Sequence, residues 1–388
     1  MKMVYMDYNA TTPCDKRVVE EMMPYFSEKF ANTSSIYKPA REAKKAQEKA
    51  RENVAGLLGC LPDEIFFTSG GTEADNWAIA GTALKMQEKG KHIITSQIEH
   101  HAVLHTCKAL EKRGYEVTYV PVDRYGVVDM DQLEKSIRND TILITVMHAN
   151  NEIGTVQPIE KIALLAREKG VFFHTDAVQT VGKMPLKLTE SGPDMLSISG
   201  HKFYGPKGIG ALYIRKGVSI PPLIYGGGQE KGKRSGTSNV PCMAGMGKAA
   251  EIALQEMEQD ISRVRELRDV LENKIKAGVP EIVINGHPEN RLYNTINICM
   301  KYIEGESILL SLDFEGICAS SGSACTSGSL EPSHVLLAIG LSHEVAHGSL
   351  RLSLGKYNTR EDVDKVASVL PGIVDRLRQI SPFWKDKK

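Results

Sequence analysis

An excess of charge of either sign is missing from this chain. Lysine plus arginine and aspartate plus glutamate both number 48. No net field therefore draws the molecule towards nucleic acid or an anionic membrane surface. Long hydrophobic runs are missing too. No stretch approaches the ~18 apolar residues that suggest a membrane span, and the opening MKMVYMDYNATTP lacks the apolar core of a signal peptide. A cytoplasmic protein without direct membrane binding is the expectation. Cysteines number seven, at 14, 60, 107, 242, 299, 318 and 325, with no CxxC pair. That odd set spells out neither a disulfide framework nor a zinc knuckle. Cys299 in NTINICM and Cys318 in GICAS lie in strand-like surroundings and read as small core residues. GxGxxG and GxxxxGKS/T are also absent, which removes the main support for dinucleotide or nucleoside triphosphate binding.

What is present describes a globular chain. Hydrophobic residues make up 41% and charged residues 25% of 388, close to a folded average and long enough for a large body with a smaller companion. From about residue 60, short apolar runs alternate with amphipathic helical segments: EIFFTS, HIITS, EVTYVPV, TILITVMHA, VFFHTD, MLSISG and GALYIRKG are the runs. This is the pattern of an α/β fold, a mostly parallel sheet covered by helices on both faces. Between 251 and 278, Leu254, Met257, Ile261, Val264, Leu267, Leu271 and Ile275 recur every three or four residues, before Gly278 and Pro280. The spacing predicts a long amphipathic helix with a stop signal. After it, EIVING, NTINICM and GICASSG alternate with further helical segments. The expected division is a large domain over 15–255 and a smaller α+β domain formed by 1–14 with 256–388.

Ligands in sheets of this kind sit at the carboxyl ends of the strands, and four predicted strand ends carry polar groups. SISGHKFYGPKG holds Lys202 in a Gly/Pro-rich exit, flanked by Ser199 and His201. Partial desolvation there lowers a lysine pKa and suits Schiff-base chemistry, whereas a lone loop lysine would be ordinary. In VFFHTDAVQ, Asp176 follows an apolar strand, where a carboxylate caps a helix or meets a basic ligand; Gln179 is three residues on. FFTSGGTEADN reads as strand, Gly-Gly-Thr turn and helix. Gly70 and Gly71 allow close approach, and Thr72 sits where free N–H groups favour a phosphate, although threonine also caps helices unaided. His100 of IEHHAV lies just past a strand end, able to stack on a flat ring, with His101 expected to face outward. A fifth feature is SGSACTSGS, residues 321–329. A stretch so small and polar cannot bury itself, so Cys325 should be reachable and mobile, as a travelling nucleophile or as a tolerated surface thiol.

Together these residues resemble the class V branch of fold-type I pyridoxal phosphate enzymes, specifically the cysteine desulfurases of the IscS/NifS group. The resemblance covers essentially the whole chain: YNATTP, SGGTEADN, EHHAV, HANNEIGT, HTDAVQ, SGHKFYGPKG, GGGQEKGKRSGTSN, SSGSACTSGSLEPSHVL and RLSLGKYNT. It implies a seven-stranded type of sheet in the large domain and pyridoxal 5'-phosphate as cofactor. It makes Lys202 the Schiff-base lysine, Asp176 the partner of the pyridinium nitrogen, Gln179 the contact of the ring hydroxyl and His100 the stacking residue. Gly71, Thr72, Ser199 and His201 become the phosphate cup. Thr237 would reach the phosphate of the neighbouring subunit, which implies a homodimer. Asn151 would contact cofactor and substrate, and Arg351 would form a two-pronged pair with the substrate carboxylate.

The same resemblance implies the reaction. L-cysteine becomes L-alanine, with Lys202 moving the α-proton and the sulfur left as a persulfide on Cys325. The loop followed by Leu-Glu-Pro-Ser places Cys325 with the IscS-like branch. A thiol of pKa ~8.5 must first be deprotonated, by His100 or by exchange with the substrate thiol. The acceptor would be an IscU-like iron–sulfur scaffold or a tRNA-thiolation relay. No metal site is spelled out, though Cys325 could serve as one ligand of a cluster shared with such a scaffold. A selenocysteine lyase or another carbon–sulfur lyase on the same fold is the alternative enzyme. Two places depart from the family pattern: Tyr8, where asparagine is common, and ANTSSIY at 31–37. Both fall in the N-terminal strap near the entrance to the site.

Overall fold

Segments such as HIITS, TILIT and MLSIS are buried at every position. A strand achieves that only when both faces of its sheet are covered. The computed structural model describes residues 3–188, 192–321 and 331–385. In chain order its strands are β1 (Val4–Tyr5), β2 (Ile65–Thr68), β3 (His92–Ser96), β4 (Glu116–Val120), β5 (Thr141–Thr145) and β6 (Phe172–Asp176). These are followed by β7 (Met195–Ser199), β8 (Gly210–Ile214), β9 (Ile282–Asn285), β10 (Thr295–Met300), β11 (Ile317–Cys318) and β12 (Ser349–Ser353).

The large sheet has seven strands in the spatial order β2-β8-β7-β6-β5-β3-β4. Strands β3 to β7 pair in parallel, while β8 runs antiparallel to both of its neighbours. It follows that β2 runs with the parallel set. The carboxyl ends of β2, β3, β5, β6 and β7 therefore share one edge, the edge at which such sheets bind ligands. The α/β class and the mostly parallel sheet agree with the alternation read from the sequence.

A second, antiparallel sheet has the order β12-β10-β9, and β1 pairs in parallel with β11. Its apolar cluster contains Val4 and Met6 together with Leu271, Ile298, Leu352 and Val366, so the start of the chain packs with its last third. Another cluster joins Ile98, Met147 and Ile153, beyond the ends of β3 and β5, to Cys299, Val335 and Leu336. Cys299 is fully buried as expected, and Cys318 is half-buried. Strands β1 and β12 escaped the sequence reading. The first has two residues, and SLRLS is short, with its polar face of Ser349, Arg351 and Ser353 buried as well as its apolar one.

The long helix spans Val240–Gly278, starting well before residue 251. Its first turns, VPCMAGMGKAA, are too rich in small residues to show an apolar stripe, but small size is what they contribute. A Cβ on Gly247 would lie 2.4 Å from the Ala50 Cα, because the helix Lys38–Leu58 packs directly against it. Among the described residues no helix is long and apolar enough to cross a membrane. Gly247→Ala should lose roughly 1–3 kcal/mol of stability by overpacking this contact, measured as a lower urea midpoint at unchanged slope.

Candidate active site

Each carboxyl end on the common edge delivers one polar group. Past β7, the backbone tightens into a turn at Gly200–Lys202, and Tyr204 adopts a left-handed φ of 66°. The Tyr204 hydroxyl accepts from Lys356 N at 2.7 Å, which holds this uncommon conformation in place. The loop aims Lys202 at the N-terminal strap, where Nζ donates to the carbonyls of Asn9 at 2.6 Å and Ala10 at 2.9 Å. His201 meets Thr11 Oγ1 through Nδ1 at 3.0 Å. Burial, followed by the charge of Lys202, pushes its pKa down to about 4. Ser199 is buried at the end of β7.

Asp176 ends β6 and is buried, with Oδ1 accepting from Val178 N at 2.9 Å. Desolvation holds its carboxyl above the usual range, while the bond from Val178 and the charge of Lys202 oppose the shift. Asp75 of the helix Gly71–Met86 lies behind it, 1% exposed. Its Oδ1 has no hydrogen-bond partner among the described residues and stands 3.6 Å from His174 Nε2. Burial and the neighbouring Asp176 push Asp75 well up. His174 itself is held between Thr145 Oγ1 at 2.8 Å and Ser197 Oγ at 2.9 Å, and burial drives its pKa down to about 3.

The helix Gly71–Met86 begins without a side-chain cap. Its first N–H groups are thus left to water or to an anion. A Cβ on Gly71 would lie 2.7 Å from Val178 Cγ2, so glycine is what lets this helix start press against the turn after Asp176. Thr72 is exposed at the same end. Past β3, His100 caps the helix His101–Glu111, accepting from Ala102 N through Nδ1 at 3.1 Å. Burial first and Lys202 second push its pKa down to about 4. It is therefore a neutral imidazole whose proton sits on Nε2. His101 is half-buried rather than turned outward, its ring 5.1 Å from that of His334.

Gln179 is buried, donating to Asn9 O at 2.9 Å and accepting from Lys183 Nζ at 2.9 Å. Asn151 lies past β5, and its carbonyl accepts from Asn9 Nδ2 and from Arg351 Nη1, each at 3.1 Å. Arg351, in the middle of β12, is 3% exposed. Thr237 is exposed in the segment before the long helix. Tyr8 is buried, with its ring against Gly355 and 5.0 Å from that of Tyr5. In 31–37, Ile36 and Tyr37 are exposed. Cys325 lies outside the described residues, and among those described no group of three His, Cys, Asp or Glu could hold a metal.

Several participants were not singled out from the sequence. Asn9 sits inside YNATTP, which is read only as a family signature, and Asp7 immediately precedes it. Lys183 follows Gln179 by four residues, where a lysine after VG suggests nothing buried. Its amine is nevertheless fully enclosed, and burial, with Lys202 and Arg351 adding to it, lowers its pKa to about 7. The residues fit a pyridoxal phosphate: an uncapped helix start opened by Gly71, a buried carboxylate at Asp176, and a lysine amine brought to the same edge.

A family model described as aminotransferase class-V matches residues 4–366, and the chain belongs to that family, whose members depend on pyridoxal phosphate. Within it, the chain is similar to proteins named cysteine desulfurase IscS. It is 56% identical over 388 residues to that of Dictyoglomus turgidum, covering 99% of this chain and 98% of the relative. It is 57% identical over 383 residues to that of Methanosarcina thermophila, covering 98% and 94%. A solved structure titled NifS-like protein superposes with a TM-score of 0.91 at 43% identity, over 97% of this chain and 100% of that one.

Buried Glu99, beside His100, allows a test of the electrostatics. Its carboxylate accepts from Ser96 Oγ at 2.5 Å and from Met147 N, yet desolvation raises its pKa from 4.5 to about 8. A raised acid contributes stability that is fully present below 4.5 and is lost as pH climbs through about 8. Glu99→Gln should thus match the parent's melting temperature near pH 5 and exceed it by several degrees near pH 9, by calorimetry.

Proposed function

We propose that this chain is a cysteine desulfurase, converting L-cysteine to L-alanine and holding the released sulfur as a persulfide on Cys325. The observation that carries the reading is the meeting of Lys202, Asp176 and His100 on one sheet edge, where the charge of Lys202 acts on both other groups. The kinship to cysteine desulfurases at more than half identity supports it. Pyridoxal phosphate, once bound, supplies the electron sink for charge developing at the substrate's Cα.

The chain's own residues do the rest. Lys202 would hold the cofactor, and its amine would move the proton at the substrate's Cα. Asp176 would pair with the ring nitrogen and favour its protonated form. Gln179 would meet the ring hydroxyl. Thr72 and the N–H groups beginning at Gly71, with Ser199 and His201, hold the phosphate. His100 would stack on the ring. Asn151 and Arg351 hold the substrate, Arg351 by its carboxylate. The Cys325 thiolate attacks the substrate sulfur, a sulfur–sulfur bond forms as the carbon–sulfur bond breaks, and a proton returns to the carbon. Atoms balance with no external oxidant.

The wider reading is a homodimer in which Thr237 reaches the phosphate of the neighbouring subunit. It acts in the cytoplasm and passes sulfur to an IscU-like scaffold or another acceptor. Residues 15–255 form its large domain, and 1–14 with 256–388 the small one. Cys325→Ala should retain the visible band of the lysine–pyridoxal imine while losing alanine production and the persulfide. Lys202→Ala should lose that band. Undiminished turnover of L-cysteine in Cys325→Ala would defeat the persulfide route in favour of a simple lyase.

A further inference from the structure

The guanidinium of Arg351 is already engaged at both ends. Nη2 donates to Asp7 Oδ1 at 2.7 Å and Nη1 to the carbonyl of Asn151 at 3.1 Å. Nε is buried and has no partner among the described residues. Two of the five N–H groups of an arginine are thereby committed, and the rest remain for a planar anion. We infer that Asp7 is a positioning residue for substrate recognition, fixing the Arg351 guanidinium so that its remaining donors meet the carboxylate of an α-amino acid. The inference rests on the reading of Arg351 as the holder of the substrate carboxylate.

Backbone geometry places Asp7 there before any ligand arrives. Asp7 bridges Ser353 in parallel, and Arg351, two residues earlier on β12, projects from the same face. Ser353 N donates to Met6 O at 2.8 Å, Tyr8 N to Ser353 O at 3.2 Å and Asn9 N to Ser353 Oγ at 2.9 Å. The Tyr5 hydroxyl donates to the carbonyls of Asp7 and Thr11. The strap is therefore pinned on both sides of Asp7. An arginine 3% exposed needs a counterion. Glu152, the other nearby carboxyl, is bonded by Ser333 Oγ and pushed up to about 7 by burial. Asp7 is thus the carboxylate ion-paired to this guanidinium. An arginine left to swing would sacrifice part of its binding free energy to being ordered by each substrate.

A purely structural role for Asp7 would act on every ligand alike. A role through Arg351 acts only on ligands with a carboxylate. The cofactor-loaded protein carrying Cys325→Ala, which blocks sulfur transfer, is titrated with L-cysteine and with cysteamine, the same amine and thiol without the carboxylate, following the visible cofactor band. Adding Asp7→Ala should weaken L-cysteine binding about tenfold, the scale of one charge-assisted hydrogen bond, and leave cysteamine binding unchanged. Asp7→Glu should recover part of the loss. In the Cys325-intact enzyme, KM should rise while kcat holds. Should Asp7→Ala fail to fold, Asp7→Asn keeps the test open, with a smaller loss still confined to L-cysteine. Equal weakening of both ligands, or unchanged L-cysteine binding in either variant, overturns the inference. Arg351→Ala separates the levels: if it too leaves L-cysteine binding intact, the assignment of Arg351 fails. If it abolishes the preference for L-cysteine while the Asp7 variants do not, only the role of Asp7 fails.

Discussion

The carbonyl of Asn9 accepts from both Lys202 Nζ and Gln179 Nε2, and the remaining geometry of the site depends on that oxygen being fixed. A carbonyl in a loose N-terminal segment could not organise two side chains, one half-buried and one buried. This one is immobilised by its own residue: Asn9 Nδ2 donates to Thr295 Oγ1 at 2.8 Å and to Asn151 O, and Asn9 Oδ1 accepts from Asn294 Nδ2 and Lys183 Nζ. Groups from β10, from the end of β5 and from the turn after β6 are thereby tied to one asparagine. The strap belongs to the core of the second sheet through Val4 and Met6. Its hydrogen bonds nevertheless reach the edge of the first. A ligand site between two sheets gains its register from such a segment, because packing alone permits small sliding whereas a saturated amide does not.

Burial then imposes a common direction on the site's ionisable groups. Asp75, Glu99, Glu152 and Asp176 are all raised; His100, His174, His201 and Lys183 are all lowered. Desolvation is the largest cause in each case, so each group is moved towards its uncharged form. The layout suits a ligand that brings its own charges. An anionic phosphate at the uncapped helix start and a ring cation beside Asp176 would each meet a group or dipole of opposite sign in a medium that screens poorly. Neutral His174 sits between Thr145 and Ser197 and supports that arrangement without adding charge.

The fold was legible in the sequence wherever burial is uniform. HIITS, TILIT, VFFHTD and MLSISG read as covered strands because apolar and small residues predominate in them, and β3, β5 and β7 are buried at every position. The site was legible where a polar residue interrupts such a run at its end, as with Asp176, His100 and Lys202. Legibility failed where function depends on a contact distant in sequence. Asp7 and Arg351 are separated by most of the chain, and neither SLRLS nor MDYNA signals that they meet. Lys183 failed for a different reason, since nothing in its local sequence signals that its amine meets both Gln179 Oε1 and Asn9 Oδ1. The opening turns of the Val240–Gly278 helix were missed because small residues that allow close packing leave no periodic apolar stripe.

The neutral tautomer of His100 narrows the open question of how a thiol becomes a thiolate here. With Nδ1 occupied as the acceptor from Ala102 N, the ring offers a proton at Nε2 and cannot take one there without first giving that proton up. Lowering of its pKa to about 4 by burial and by Lys202 makes imidazolium at neutral pH unfavourable. As a base, His100 would have to break its cap bond and form a cation beside a lysine. As a donor towards substrate it needs neither. Of the two routes considered for the thiol, deprotonation by His100 is thus disfavoured by geometry and electrostatics together. Exchange with the substrate's own thiol is left as the route that asks nothing of this ring.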